Sequence, residues 1–275
     1  MTIVVIGDVN VDVVAAHDAP LAPGSDTPAQ TQLRGGGGGG NVAAWLAHAG
    51  VGVALVGRVG DDALADIALA GLDGVDLRVT RAAGERTGVC VVLVGPDAER
   101  TMLPDAGAND GLAEGDLPGD LFAAGNVLYV SGYTLLRERS RPAAQAALAR
   151  ARETQMPIAL DAASAAPLRH APDFHAWAGP VDLLLANEDE MEALGGGVGV
   201  REIVMKRGAA GAMWTSGRQT LHAPAEPSDA IDTTGAGDAF AAGFLSAWPG
   251  SPEAALERAT GLAARAVGLA GGRPE

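Results

Sequence analysis

The fold is decided by a turn that leads straight into a predicted helix, Ile231-Asp232-Thr233-Thr234-Gly235-Ala236-Gly237-Asp238-Ala239-Phe240. From Ala239 the chain is small and apolar, and no helix breaker occurs before Pro249. The residues before the helix have little or no side chain, so their backbone N–H groups can approach a ligand closely. The positive end of the helix dipole lies at the same place, and the turn is therefore predicted to bind an anion.

Asp238 is unexpected beside an anion site, because like charges repel. One interpretation is a general base that takes a proton where a phosphoryl group is transferred. The other is a residue that caps the helix or complements its dipole. The local sequence favours neither.

Composition restricts the classes of function. The chain has 275 residues, of which 48% are hydrophobic and only 4% aromatic, so we expect one large domain over 1–275 with a core of Ala, Val and Leu. A formal charge of −15 argues against nucleic acid or an anionic membrane as partner, but not against ATP. The single Cys90 excludes an internal disulfide and favours a cytoplasmic location. We expect no signal peptide, because the chain reads as a strand from residue 2.

Strand and helix patterns alternate along most of the chain. Apolar runs at 3–6, 53–56, 126–131, 157–161, 181–186 and 203–205 read as buried strands, with helices predicted at 42–49, 141–153 and 253–270. This alternation predicts an α/β fold with a doubly wound, mainly parallel sheet. Strands at 87–94 and 99–103, around a turn at 95–98, predict a second, small β-sheet that stands off the main one.

Polar residues and glycines follow the first strands. Asp8, Asn10 and Asp12 alternate, so they share one face, where they either bind hydroxyl groups or form an ordinary solvated strand end. Six glycines, 35–40, then precede Asn41. They read either as a flexible linker or as a loop that packs against a ligand, and Asn41 as the N-cap of the next helix favours the loop.

These motifs together resemble the ribokinase-like (PfkB) carbohydrate and nucleoside kinases. The resemblance rests on D-T-T-G-A-G-D-A-F at 232–240, supported in order by G-D-V-N-V-D at 7–12, the G-G-x-x-x-N loop, N-x-x-E at 187–190 and a K-x-G-x-x-G pattern at 206–211. It covers about residues 2–272. It implies an ATP-dependent kinase that phosphorylates a primary hydroxyl of a sugar, with Mg²⁺ as cofactor.

The resemblance also implies roles for individual residues. Asp238 is the base and Gly235, Ala236 and Gly237 form the anion hole. The expected sugar contacts are Asn10, Asp12, Gly36, Gly37, Asn41 and Asn109. ATP is expected at Asn187, Lys206, Gly208, Gly211 and Thr260, and Mg²⁺ at Glu190 through water. Many relatives hold a K⁺ ion beside the anion hole, and Asp232 and Thr234 match its ligands. A lid is expected from about 10–33 and 87–105, in some relatives also a homodimer contact.

The acceptor stays open at this point. Ribokinases usually carry Lys at the position of Gly38 and Glu near Gly132. This chain has neither residue, which argues against ribose as the acceptor. The low aromatic content argues against a nucleoside acceptor, because nucleoside bases commonly stack on aromatic side chains. A nucleoside kinase of the same fold is nevertheless an alternative. A second alternative is a non-catalytic sugar or nucleotide sensor, for which Asp238 would have no use. An NAD-binding oxidoreductase is disfavoured, since no dinucleotide-binding glycine motif follows the first strand. A P-loop enzyme is also disfavoured, because the sequence contains no Walker A motif.

Overall fold

The structure is a computed structural model that describes residues 1–96, 100–197, 199–229 and 232–274. The predicted turn residues Asp97 and Ala98, and Ile231 of the decisive turn, lie outside these ranges. The described strands, in chain order, are β1 Ile3–Ile6, β2 Asn10–Ala16, β3 Gln30–Gly36, β4 Val53–Gly60, β5 Asp76–Ala82, β6 Gly88–Val94, β7 Arg100–Asp105, β8 Val127–Ser131, β9 Ile158–Asp161, β10 Leu183–Asn187, β11 Glu202–Lys206, β12 Ala212–Ser216 and β13 Gln219–Ala223.

Helices connect these strands. In chain order they are α1 Gly38–His48, α2 Leu64–Leu69, α3 Gly132–Leu136, α4 Arg141–Glu153, α5 Ala165–Leu168, α6 Phe174–Ala178, α7 Glu188–Leu194, α8 Ala236–Leu245 and α9 Pro252–Val267. Short 3₁₀ turns add Gly107–Gly111, Glu114–Asp116, Gly119–Leu121 and Gly208–Ala210. No helix in the described ranges is long and apolar enough to cross a membrane.

The main sheet has nine strands in the order β13-β12-β11-β10-β9-β8-β1-β4-β5. Neighbours from β11 to β5 are parallel, and β12 and β13 add an antiparallel edge. Alternate residues of β1 enter different cores: Ile3 and Val5 pack with α1, α8 and α9, and Val4 and Ile6 pack with α4. Helices therefore cover both faces, and the predicted doubly wound α/β sheet is confirmed.

A second sheet of four strands, in the order β3-β2-β6-β7, forms what we call the lid sheet. Three residues separate the end of β1 from the start of β2, which pairs antiparallel with β3 and parallel with β6. The small additional β-sheet predicted from the hairpin pattern is therefore present. Since side chains alternate across a strand, Asn10 and Asp12 lie on the same face of β2.

Two local predictions are wrong. Helix α1 begins at Gly38 rather than after Asn41, because Gly37 takes the capping position with φ 84°. Gly37 also packs so closely on Asp8 that a Cβ there would lie 2.5 Å from the Asp8 carbonyl oxygen. Asn41 therefore lies inside the first turn, where its side chain is free to face the site. Strand β4 also continues to Gly60, beyond the predicted strand at 53–56, because Ala54–Gly60 pairs in parallel with Asp76–Ala82.

Candidate active site

The carboxyl ends of parallel strands carry the polar residues of the site. Asp8 follows β1, Asp161 ends β9, Asn187 ends β10 and Lys206 ends β11. Because these strands run in one direction, their ends meet at one edge of the sheet, opposite the start of α8. This edge is where an open α/β sheet is expected to bind its ligands.

The start of α8 presents open backbone amides. Gly235 takes the capping position in the left-handed region, φ 73°, and a Cβ there would lie 2.5 Å from Gly272 Cα. The first helical hydrogen bond runs from Ala239 N to Gly235 O, 2.8 Å. Within the described residues, the amides of Gly237 and Asp238 have no protein acceptor. The geometry is that of an anion site at a ten-residue helix.

Asp238 lies in the first turn of α8 and faces the glycine loop. Its Oδ2 accepts a hydrogen bond from Asn41 Nδ2 at 2.9 Å, and Gly38 lies next to its other oxygen. Burial raises the pKa of Asp238 to about 7, while the Asn41 hydrogen bond opposes the rise and the Asp161 carboxylate adds to it. A carboxylate with a pKa near the working pH is suited to take a proton. Asp238 makes no capping hydrogen bond, so the cap interpretation lacks support, whereas its place in the first turn of α8 fits a residue that complements the helix dipole.

Lys206 brings a positive charge to the open amides. Its Nζ donates to Asp161 Oδ2 at 3.1 Å and lies beside Gly237 of the anion turn. Burial opposes its charge, but the carboxylates of Asp161 and Glu190 raise the pKa of Lys206 above its ordinary value. The ammonium group is therefore charged and close enough to neutralise an anion at the turn.

The Asn187-x-x-Glu190 motif forms a capping box at the start of α7. Asn187 Oδ1 accepts from the Glu190 amide at 2.8 Å, and the two Glu190 oxygens accept from Asn187 N and Nδ2. Burial raises the pKa of Glu190, and Lys206 opposes that rise. The motif therefore fixes the start of α7. Its predicted role toward Mg²⁺ stays a prediction.

A cavity of about 580 Å³ opens beside the anion turn. It is bounded by the loop after β11, the start of α8 and one side of α9. Four of the five predicted nucleotide residues line it, together with two of the anion-turn residues: Lys206, Gly208, Gly211, Thr260, Ala236 and Gly237. The fifth, Asn187, is instead engaged in the capping box. The cavity leads from a mainly apolar helix face to the open amides, as a nucleotide with its phosphates requires.

Asn10 is held by Asn109. Asn109 Nδ2 donates to Asn10 Oδ1 at 2.7 Å and to Ala106 O at 2.9 Å, and its Oδ1 accepts from Val9 N at 2.9 Å. These bonds use the hydrogen-bonding capacity of the buried Asn109 amide. The geometry thus gives Asn109 a positioning role, and direct contact with a sugar stays a prediction.

Asp12 lies on the lid-sheet face that looks into the site. Its carboxylate has no hydrogen-bond partner among the described residues, and it packs against Gly36. Burial raises the pKa of Asp12 to about 6, while Arg273 opposes the rise. An unpartnered carboxylate on this face is available to accept hydrogen bonds from hydroxyl groups.

Arg273 is a site residue that the sequence reading missed. Its guanidinium is buried under the glycine loop and donates to Gly36 O at 2.7 Å and to Ala68 O at 2.8 Å. A Cβ on Gly35 or Gly40 would overlap it. The loop is therefore packed rather than flexible, which contradicts the linker interpretation. The sequence feature that could have pointed to such a residue is the glycine run itself, because glycine often marks a site that another group approaches closely.

A second missed residue is Arg137, in the segment after α3. It forms a two-pronged ion pair with Asp8, with Nη1 2.7 Å from Oδ1. Asp8 is therefore neutralised and is not a free member of the polar face predicted with Asn10 and Asp12. No sequence signal links the two residues, which are 129 positions apart.

Asp232 and Thr234 lie at the start of the anion turn, where a K⁺ ion was expected by resemblance. Asp232 Oδ1 accepts from Thr234 N at 2.8 Å and from Nη1 of Arg100, on lid strand β7, at 2.9 Å. Since a guanidinium already contacts both predicted ligands, this donor set does not fit a K⁺ ion. The described residues also contain no group of three or more His, Cys, Asp or Glu side chains able to hold a metal.

Comparisons with known proteins agree with this geometry. The profile of the pfkB family carbohydrate kinases matches residues 1–274. The chain is 32% identical to the ATP-dependent ribose-1-phosphate kinase of Halopiger xanaduensis, over 97% of this chain and 92% of that protein. It is similar in fold to adenosine kinase from Sinorhizobium meliloti (TM-score 0.85, 24% identity, 99% and 95% of the two chains).

A further solved structure is Arabidopsis thaliana ribokinase complexed with ribose and ATP, with a TM-score of 0.80 and 25% identity over 98% of this chain and 93% of that chain. The predicted resemblance is confirmed over nearly the whole sequence. This chain belongs to the pfkB family of carbohydrate kinases and is an ATP-dependent sugar kinase.

Proposed function

We propose that the chain transfers the γ-phosphoryl group of ATP to a primary hydroxyl of a sugar, with Asp238 as the base. The observation that carries the proposal is the position of Asp238. It lies between the open amides at the nucleotide cavity and the Asn41 side of the glycine loop, and its pKa is raised to about 7 by burial. No other carboxylate in the described residues combines these contacts.

In the proposed reaction, Asp238 removes the hydroxyl proton as the hydroxyl oxygen attacks the γ-phosphorus. The new O–P bond forms while the bond from the γ-phosphorus to the β,γ-bridging oxygen breaks, and ADP leaves. Negative charge that develops on the transferred group is held by the amides of Gly237 and Asp238 and by Lys206. In other enzymes, one lost donor of this kind costs about 3–4 kcal/mol of transition-state stabilisation.

ATP is proposed to act as its Mg²⁺ complex. When bound, Mg²⁺ offsets phosphate charge, and it prefers oxygen ligands and retains several waters. Each Glu190 oxygen accepts one N–H bond from Asn187, which leaves lone pairs for water. Glu190 is therefore suited to contact the ion through water. Thr260 and Gly208, which line the cavity beside the anion turn, are suited to contact the nucleoside part of ATP.

A phosphorylated pentose is a second candidate acceptor. Arg86, Arg137 and Arg139 line a cavity of about 670 Å³ next to the segment that holds Asn109. Guanidinium groups are the side chains that bind phosphate best. The relative from Halopiger xanaduensis is a ribose-1-phosphate kinase. Three carboxylates, Glu85, Asp105 and Asp110, also line this cavity and would weaken such binding.

The test is ADP release with Mg²⁺-ATP across pentoses, pentose 1- and 5-phosphates, hexoses and nucleosides. One acceptor should turn over, and Asp238→Asn should lower the rate at least about 10²-fold while ATP binding persists. Undiminished activity in the variant removes Asp238 from the mechanism. Turnover of a nucleoside alone favours the nucleoside kinase, and binding without turnover favours the sensor. For a phosphorylated acceptor, Arg139→Met should raise its KM and leave the KM for ATP unchanged.

We also infer a homodimer through the lid sheet. An apolar row crosses all four strands on the outer face, because Leu33 pairs with Val13, Val13 with Val91 and Val91 with Leu103. The two end residues are 53% and 55% exposed. A second copy of the same row is the self-complementary partner. Light scattering should give about twice 27.5 kDa for the wild type and a monomer for Leu33→Lys with Leu103→Lys. A monomeric wild type contradicts the inference.

Finally, we infer a cytoplasmic location. The proposed reaction consumes ATP, and the one cysteine, Cys90, is buried as a free thiol.

A further inference from the structure

An arginine of the lid sheet contacts the turn that precedes the anion site. Nη1 of Arg100 lies 2.9 Å from Asp232 Oδ1 and 2.5 Å from Thr234 Oγ1. Both partners of the ion pair are largely shielded, with side chains 18% and 20% exposed. A shielded, charge-assisted contact is stronger than an ordinary surface ion pair. It links two segments 132 positions apart.

The carboxylate that Arg100 contacts is a structural centre of the turn. Asp232 Oδ1 also accepts from Thr234 N at 2.8 Å and Thr234 Oγ1 at 2.6 Å, and Oδ2 accepts from Gly271 N at 2.9 Å. Although burial opposes its charge, hydrogen bonds from Thr234 and Gly271 hold the pKa of Asp232 below its usual range. A negative charge is therefore fixed three residues before Gly235, and the arginine balances it.

The other groups near this carboxylate do not supply the balancing charge. Arg34, on lid strand β3, lines a small cavity together with Arg100 and Asp232. Its guanidinium is hydrogen-bonded to Gln32 and to the carbonyl of Ala270. The buried Arg273 is directed to the glycine loop. Among the described residues, Arg100 is the cation paired with Asp232.

We propose that Arg100 is a positioning residue that replaces the monovalent cation expected at this turn. Its guanidinium supplies the positive charge, so the kinase turns over without K⁺. Because Arg100 is on the lid sheet, the same contact joins the lid to the anion turn, and the turn is ordered when the lid is in place. The consequence for catalysis rests on the proposed function, in which the amides after this turn stabilise the transferred phosphoryl group.

The test compares K⁺ with tetramethylammonium at equal ionic strength. Wild-type kcat should differ by less than about twofold between the two salts. Arg100→Met should lose at least about tenfold in tetramethylammonium and regain much of the rate in K⁺, because the small cation can then enter beside Asp232. Arg100→Lys, which keeps a charge, should be affected less. Arg81→Met is the matched control, since Arg81 pairs with Asp66 at an exposed site of β5.

Two measurements do not depend on turnover. Unfolding temperature should respond to K⁺ in Arg100→Met and not in the wild type. Hydrogen exchange of the backbone amides of β7 should be faster in Arg100→Met than in Arg81→Met. The proposal is overturned if K⁺ activates the wild type fivefold, or if K⁺ stabilises the wild type as much as Arg100→Met. It is also overturned if K⁺ has no effect on Arg100→Met. If no protein turns over any acceptor, the proposed function fails while these two measurements still decide the role of Arg100.

Discussion

Arg273 and Gly40 pack directly against each other, so that a Cβ on Gly40 would overlap the Nη2 group of the arginine. Together with the same contact at Gly35, this relationship explains why positions 35 and 40 of the glycine loop carry no side chain. The guanidinium fixes the backbone of the loop through Gly36 O and also faces Asp12, whose pKa it lowers against the effect of burial. One buried side chain from the end of the chain thus supports both the loop and the carboxylate.

Arg273→Met should weaken acceptor binding more than ATP binding. Without the guanidinium, the pKa of Asp12 rises above about 6, so less of the carboxylate is ionised near neutral pH. We expect the KM for the acceptor to rise about tenfold at pH 6.5 and to recover partly at pH 8.5, with the KM for ATP nearly unchanged. Steady-state kinetics at both pH values checks this. Arg265→Met, at an exposed position of α9, is the control, and equal effects on both KM values would contradict the prediction.

Two neighbouring glycines of the loop should respond differently to alanine. A Cβ on Gly39 would lie 2.5 Å from the backbone carbon of Gly7, whereas one on Gly38 would lie 3.6 Å from Asp238 Oδ1. Gly39→Ala should therefore cost about 2 kcal/mol or more in the free energy of unfolding, because backbone must move. Gly38→Ala should be neutral or stabilise by up to about 1 kcal/mol. Urea denaturation measures both, and equal destabilisation would show that the packing of Gly39 is wrong.

Asn41→Leu should shift the pH dependence of the reaction upward. Asn41 donates to Asp238 and lowers its pKa, which burial has raised to about 7. Without this bond the base holds its proton to higher pH, and the acid limb of kcat/KM should move up by about one unit. The measurement is a pH–rate profile beside Gln145→Leu, a change to an exposed amide of α4. An unmoved limb would show that Asp238 is not the titrating base.

Asp238→Asn should stabilise the fold at alkaline pH. The pKa of Asp238 is raised from 3.8 to about 7, so between these values the native state binds the proton more tightly than the unfolded state. Stability therefore falls as pH rises from about 4 to 7, and above 7 the buried charge carries its full cost. The amide lacks this charge, so the variant should be more stable by about 4 kcal/mol at pH 8 and by about 2 kcal/mol at pH 5. Thermal unfolding at both pH values checks it, and a gain independent of pH would contradict the stated cause.

Much of the fold was predictable from local patterns. The apolar runs of β1 and β10 and the helical pattern of α4 each bury residues close in sequence, so periodicity predicts them well. The limits of α1 were not predictable, because Asn41 is a good cap by local preference. Packing of the preceding glycines against Gly7 and Arg273 starts the helix four residues earlier, at Gly38.

The sequence by itself determined the doubly wound α/β fold, the family, and the position of Asp238 at a turn of small residues before a helix, because each is a matter of neighbouring residues. Only the tertiary structure decided which groups meet Asp238, Asp8 and Asp232. Their partners Asn41, Arg137 and Arg100 lie 197, 129 and 132 positions away. An ion pair or buried hydrogen bond depends on distance and exclusion of water. Neither is set until the sheet and lid have folded.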